Sequence, residues 1–228
     1  MSAWNVFKME LFKNVQDRVN LVVMLVFMAV NIIGGLMIST QSWNPMLILL
    51  FSFSVFGSFV FLFIYPYQMA RVDYKNKVMS LLIASGVSRV QYYFVKVGAT
   101  LLFSFLSFIL LVVFPLLVVL IFHDMSIALE FLHMTLEIDP VTLGIGFFGW
   151  LSYFFMLMTA VIISRGKAYT IFVFFGLSIA TSQVALIFHQ ALGSHWWQMD
   201  NTVILVQHFV TIAVMGLIGI LVLRKQDL

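Results

Sequence analysis

All twelve Lys and Arg residues fall in four short segments, and the chain between those segments is almost wholly apolar. Residues 3–18 hold three of the twelve, residues 67–96 five, residues 165–167 two and the tail after Leu223 two. An α-helix needs about 20 mostly apolar residues to cross the hydrocarbon core of a bilayer. Six such crossings fit, at about 19–38, 46–65, 97–122, 141–164, 168–188 and 203–223. With six, every cation-bearing segment lies on one face and the three opposite links carry none; five or seven crossings would scatter the charges. Lys and Arg accumulate on the cytoplasmic side of membrane proteins, so both termini are expected inside.

Composition leaves room for little else. The 228 residues are 63% hydrophobic and 9% charged, with a mean hydropathy of +1.09, where a soluble domain carries about 25% charged residues. The expected fold is an all-α integral membrane protein forming one transmembrane domain over residues 1–228, multi-pass in the plasma membrane. At the N-terminus Trp4, Phe7, Leu11 and Val15 share a helical face, with Lys8, Glu10, Lys13, Asn14 and Asp17 taking most of the remainder. That pattern predicts a helix lying in the membrane interface. The first apolar run ends without a small-residue cleavage site, so no cleavable signal peptide is expected. Zero cysteines exclude disulfides, thiolate metal sites and a Cys nucleophile.

The stretch 67–96, YQMARVDYKNKVMSLLIASGVSRVQYYFVK, is the one polar interval large enough to meet a soluble partner. Its cations are Arg71, Lys75, Lys77, Arg89 and Lys96, opposed only by Asp73. The helical pattern breaks at Ala84-Ser85-Gly86, and Ser88 with Gln91 has the capping-box spacing that opens a new helix. A short helix along the membrane, a glycine turn and a helix returning into the bilayer are expected; a solvated loop is the plainer alternative.

Catalytic signatures are missing. No G-x-x-x-x-G-K-[ST] phosphate loop and no H-E-x-x-H occurs. An intramembrane serine protease needs a serine within reach of a histidine base. His208 is the only deep histidine, and Ser104, Ser178 and Ser182 are its conceivable partners, none in a G-x-S-x-G setting. On the cation-free side, His123, Glu130, His133 and Glu137 could ligate a divalent ion or form a solvated acidic rim, and the rim is preferred. Two polar clusters lie within spans: Thr181, Ser182 and Gln183 in the fifth, and Gln207, His208 and Thr211 in the sixth. Polar groups at that depth face protein or water, so they line a transport path or hold helices together by hydrogen bonds. Ionised residues are nearly absent from the spans, which disfavours a proton- or sodium-coupled carrier. The 14 Met and 25 Phe are read as lipid-facing and packing residues.

An N-terminal interfacial helix, six spans, both ends inside and a cytoplasmic helix between spans two and three resemble the membrane (permease) subunit of bacterial type 2 ABC exporters. The likeness in motif covers about 25 residues, DYKNKVMSLLIASGVSRVQYYFVK, in which Leu82, Ile83, Ala84, Ser85, Val87, Ser88, Arg89 and Lys96 match the family's pattern. Gly86 stands where the family has Pro, Lys77 where it has Gly, and Asp73 is a single acid where several are usual. The closing RKQDL resembles the family's basic-then-Asp ending. The resemblance implies a coupling helix at about 74–83 that docks into a separate cytoplasmic ATPase, with Asp73, Lys77, Met79, Ser80, Leu82 and Arg89 as contact residues. It implies a second permease subunit, identical or different. This chain would be no enzyme and bind no cofactor itself, ATP and Mg being held by the partner; no nucleic-acid partner is expected. Members of that family that handle polysaccharide or lipid often carry larger additions between spans five and six, so the short link here implies, through the resemblance, export of a peptide, antimicrobial or other amphipathic molecule. The alternative is a non-transporting assembly or peptide-immunity component acting by binding.

The charge pattern makes a direct prediction. A cysteine placed at Ser126 or Ser194 in this cysteine-free chain labels with a membrane-impermeant thiol reagent in sealed cells, and one at Ser85 does not. Labelling at Ser85 would reverse the orientation.

Overall fold

The computed structural model describes residues 3–39, 45–123, 139–191 and 201–226, and among these every regular element is helical. The helices are α1 (Ala3–Gln16), α2 (Arg18–Ser39), α3 (Pro45–Lys75), α4 (Val78–Ala84), α5 (Arg89–Phe108), α6 (Phe114–His123), α7 (Pro140–Ser164), α8 (Thr170–Ala191) and α9 (Asn201–Lys225). One π-helical turn, Ile109–Val113, joins α5 to α6. Among the described residues six stretches are long and apolar enough to cross a membrane: Asn20–Met37, Ser52–Lys75, Arg89–Val118, Pro140–Ser164, Thr170–Ile187 and Asn201–Lys225.

The helices reach further than hydropathy alone suggests. The second apolar run continues through Pro66 to Lys75, and the third begins at Arg89, so the interval between them shrinks to residues 76–88. Asp73 near the end of α3 and Lys96 two turns into α5 explain this. Their side chains form an ion pair, and both are buried. Each ion neutralises the other, so both helices carry a charge into a low-dielectric setting that neither could enter alone.

The α1 helix buries a narrow stripe, and none of Trp4, Phe7, Leu11 and Val15 belongs to it. Val6, Glu10 and Asn14, spaced by four, are buried, while Trp4, Phe12 and Val15 are exposed. The buried stripe is thus largely polar, and the exposed surface mixes the apolar Trp4, Met9, Phe12 and Val15 with the polar Asn5, Lys8 and Gln16.

The chain divides into two compact units. One comprises Lys8–Pro66 and Ala99–Ile138. Here α2 packs on α6 and the π turn. Pro115 has no N–H, so the Leu111 carbonyl four residues earlier loses its helical donor. The Asn31 amide replaces it, donating to Leu111 O at 2.8 Å and to Ser58 Oγ at 3.0 Å.

The other unit comprises Met1–Phe7, Tyr67–Gly98 and Asp139–Leu228, and in it α7 packs on α8 and on α9. Tyr93 of α5 ties three helices together: its hydroxyl lies 3.1 Å from Thr159 Oγ1, and Thr159 donates to Met215 O at 2.9 Å. Gly219 makes room for this junction, since a Cβ there would lie 2.6 Å from the Tyr93 ring and 3.0 Å from Thr159 Oγ1.

Removing one partner of a buried pair leaves an uncompensated charge, which costs about 3–5 kcal/mol. Asp73→Asn and Lys96→Met are each expected to lower thermal stability in detergent by that order, and the double variant by less than the sum. Additive losses would show that the two side chains do not act as a pair.

Candidate functional site

The site is assembled around the short helix α4. Lys77, its N-cap, adopts the left-handed conformation with φ of 54°, which costs a non-glycine residue roughly 1–2 kcal/mol. The turn after α4 places Gly86 at φ of 92°. Proline, held near −65°, could not take that conformation, so this turn is built differently from a proline turn. Ser88 and Gln91 then form the anticipated reciprocal box: the Gln91 N–H donates to Ser88 Oγ and the Ser88 N–H to Gln91 Oε1, both at 3.1 Å.

Burial separates two faces of this segment. Met79 and Leu82 are 1% and 7% exposed, and Asp73 is committed to Lys96. These three of the anticipated contact residues are therefore turned into their own unit. Ser80 is half-buried. The outward stripe is Lys77, Leu81, Ala84 and Ser85, at helical spacings of four, three and one, with Leu81 67% exposed. Leu81 and Ser85 are not among the anticipated contact residues, because a seven-residue helix made wholly of apolar or small residues gives no reading of which side is covered.

Arg89 is half-buried and engages the end of α9. Its Nη1 donates to Leu223 O and Arg224 O at 2.7 Å and to Gln226 O at 2.9 Å. It thus satisfies terminal carbonyls of α9 that have no helical donor. Gln226 adds two links, donating through Nε2 to Ile162 O at 2.6 Å and lying 3.4 Å from the Tyr74 hydroxyl. The α7–α8 turn closes on the same place: a Cβ at Gly166 would meet Tyr74 Cβ at 2.9 Å and Arg71 O at 3.2 Å. The ends of α3, α7 and α9 therefore converge beside α4.

A second feature is an apolar cleft of about 350 Å³ between α8 and α9. Thr181, Gln207 and Thr211 supply polar groups to a wall otherwise made of Val, Leu, Ile, Ala and Met. The Thr181 hydroxyl donates to Leu177 O and Ser178 O and lies 3.7 Å from Met156 Sδ of α7, while that of Thr211 donates to Gln207 O, so both threonines find an acceptor within their own helices. Ser182 and Gln183 are exposed outside the cleft, Ser182 donating to Ser178 O.

His208 turns the other way, towards α7. Its Nδ1 lies 3.3 Å from Ser152 Oγ, and Ser152 donates its own proton to Gly149 O at 2.7 Å. The serine hydroxyl lies within reach of both Gly149 O and the imidazole, so the contact links α9 to α7. Of the acidic segment, Glu130, His133 and Glu137 lie outside the described residues, and of His123 only its place at the end of α6 is described.

Compared with known proteins, the chain matches no family model, no curated protein and no solved structure.

Proposed function

We propose that the chain is the membrane subunit of an ATP-driven exporter whose ATPase is a separate cytoplasmic protein. The observation that carries this reading is the outward stripe Lys77–Leu81–Ala84–Ser85 on a short helix linking two candidate spans. One cation beside one large exposed apolar side chain is the chemistry of a docking contact: the apolar anchor fills a pocket and the charge sets orientation. Met79 and Leu82 contribute from the other side, holding α4 on its own unit so that a push on the helix is transmitted.

Several features support the reading. The sequence has no phosphate-binding loop of its own. Lys77 occupies a left-handed position, and the exporter family that the sequence resembles carries Gly there. Exposed Trp4, Phe12 and Val15 on α1 suit the acyl boundary, which supports an interfacial helix there, and the charge pattern supports a cytoplasmic side for both termini. The α8–α9 cleft is apolar with three neutral polar groups, a lining suited to an amphipathic substrate such as a peptide or antimicrobial. Only 6% of the α8 span is buried, so its flank is available to a second membrane subunit. ATP and Mg belong to the partner.

The test is affinity capture of the ATPase encoded beside this chain by the variant Lys77→Glu/Leu81→Ala. Loss of an anchor and reversal of a charge cost about 2–4 kcal/mol, roughly 30- to 1000-fold in affinity. Met79→Ala instead weakens the fold, because Met79 is buried. Unchanged capture and unchanged ATP hydrolysis by the purified complex would remove the docking assignment.

A further inference from the structure

Three helices end at one place, and the charge there exceeds what their ends require. The spans Ser52–Lys75, Pro140–Ser164 and Asn201–Lys225 all terminate where Tyr74, Gly166 and Gln226 meet. Six exposed cations surround that point: Arg71, Lys75, Arg165, Lys167, Arg224 and Lys225. Among the described residues of this unit the acids are Asp73, buried and paired with Lys96, and Asp139, at the opposite end of α7; Asp227 lies outside them.

Basic residues at helix C-termini have an ordinary purpose, since each terminus carries about −0.5 of an elementary charge. Three termini thus ask for roughly one and a half positive charges, and Arg89 already supplies one by direct hydrogen bonds. The six exposed cations leave an excess of roughly five. Depth is the second observation. Within a turn of these cations, on the span side, lie the exposed apolar side chains Val72, Ile163 and Leu221, 40%, 37% and 47% exposed. These side chains lie on candidate spans, whereas Leu81 lies on the link between two of them, so a soluble protein that meets the cations does not reach them. A lipid needs both, phosphate above and acyl chain below.

We propose that the joint end of α3, α7 and α9 is a binding site for the headgroup of an anionic phospholipid. Its phosphate is held by Arg165 and Lys167 of the α7–α8 turn with Arg224 and Lys225 of α9, and its acyl chains lie along Ile163 and Leu221. Arg71 and Lys75 complete the rim. The inference does not rest on docking of an ATPase, since Lys77 and Leu81 take no part in it.

The experiment compares the full chain in phosphatidylcholine nanodiscs with and without phosphatidylglycerol, measuring lipid retained through purification and the thermal midpoint. Phosphatidylglycerol is expected to be retained over phosphatidylcholine, raising the midpoint, with the preference falling at high salt. Each exposed cation near an anionic surface is worth about 1 kcal/mol, or about fivefold. The variant Arg165→Gln/Lys167→Gln/Arg224→Gln/Lys225→Gln should therefore bring the preference close to unity. A charge-preserving variant, Arg165→Lys/Lys167→Arg/Arg224→Lys/Lys225→Arg, should retain it, which separates lost charge from lost fold, and Lys77→Glu/Leu81→Ala should leave it unchanged. Equal retention of the two lipids by the wild-type chain, or an undiminished preference in the neutralised variant, would overturn the proposal. So would stabilisation by inorganic phosphate in pure phosphatidylcholine discs equal to that given by the lipid, which would make the ligand a soluble anion. Loss of ATPase capture by the neutralised variant with its lipid preference intact would assign the patch to a protein and likewise overturn it.

Discussion

The charged end of this protein depends on one buried ion pair. Asp73 and Lys96 are 23 residues apart in sequence, and their contact allows α3 to continue to Lys75 and α5 to begin at Arg89. A lone lysine two turns inside an apolar helix would have to reach back to water or lose its proton. Paired, it becomes part of the interior, and what remains between the two helices is just long enough for α4 and two tight turns. Such pairs contribute little net stability but penalise every arrangement that separates their partners. The pair thus fixes where α3 and α5 meet, and with that the place at which α4 emerges.

A second layer of polar contacts fixes α4 relative to α9. Arg89 follows the turn after α4 directly and spends its guanidinium on carbonyls at the end of α9. One turn on, Tyr93 sits against Gly219 of α9 and Thr159 of α7. The beginning of α5 is therefore bonded to the final turns of α9, the helix whose other half forms a wall of the α8–α9 cleft. The stripe proposed for docking and the cleft proposed for substrate share α9 as a common element.

Polar residues within the spans divide by what satisfies them. Thr181, Ser182 and Thr211 bond to carbonyls of their own helices and leave side-chain surface for a cleft or for lipid. Asn31, Ser152, Thr159 and His208 bond between helices and hold the packing. Gln207 and His208 are neighbours in sequence, yet Gln207 lines the cleft and His208 faces α7, because successive residues on a helix point about 100° apart.

The number of described helices long and apolar enough to span a membrane, the confinement of all twelve cations to four segments and the helix start at Ser88 could be read from the chain itself. Each depends on the length of an apolar run, a count or a spacing of three residues, all of which are properties of one dimension. The extent of α3 and α5 could not be read, since it rests on Asp73 finding Lys96 through space. The exposed side of α4 was equally hidden: Met79, Leu81 and Leu82 are alike in character, and only packing decides that Leu81 is the one left outside. Arg89 reads as a free surface cation until the end of α9 lies beside it. Hydrophobic length and charge therefore determined how many times the chain can cross a membrane, while the rotation of each helix and the pairing of polar groups far apart in sequence were decided by the tertiary structure, because a buried polar group is tolerated only where a partner meets it.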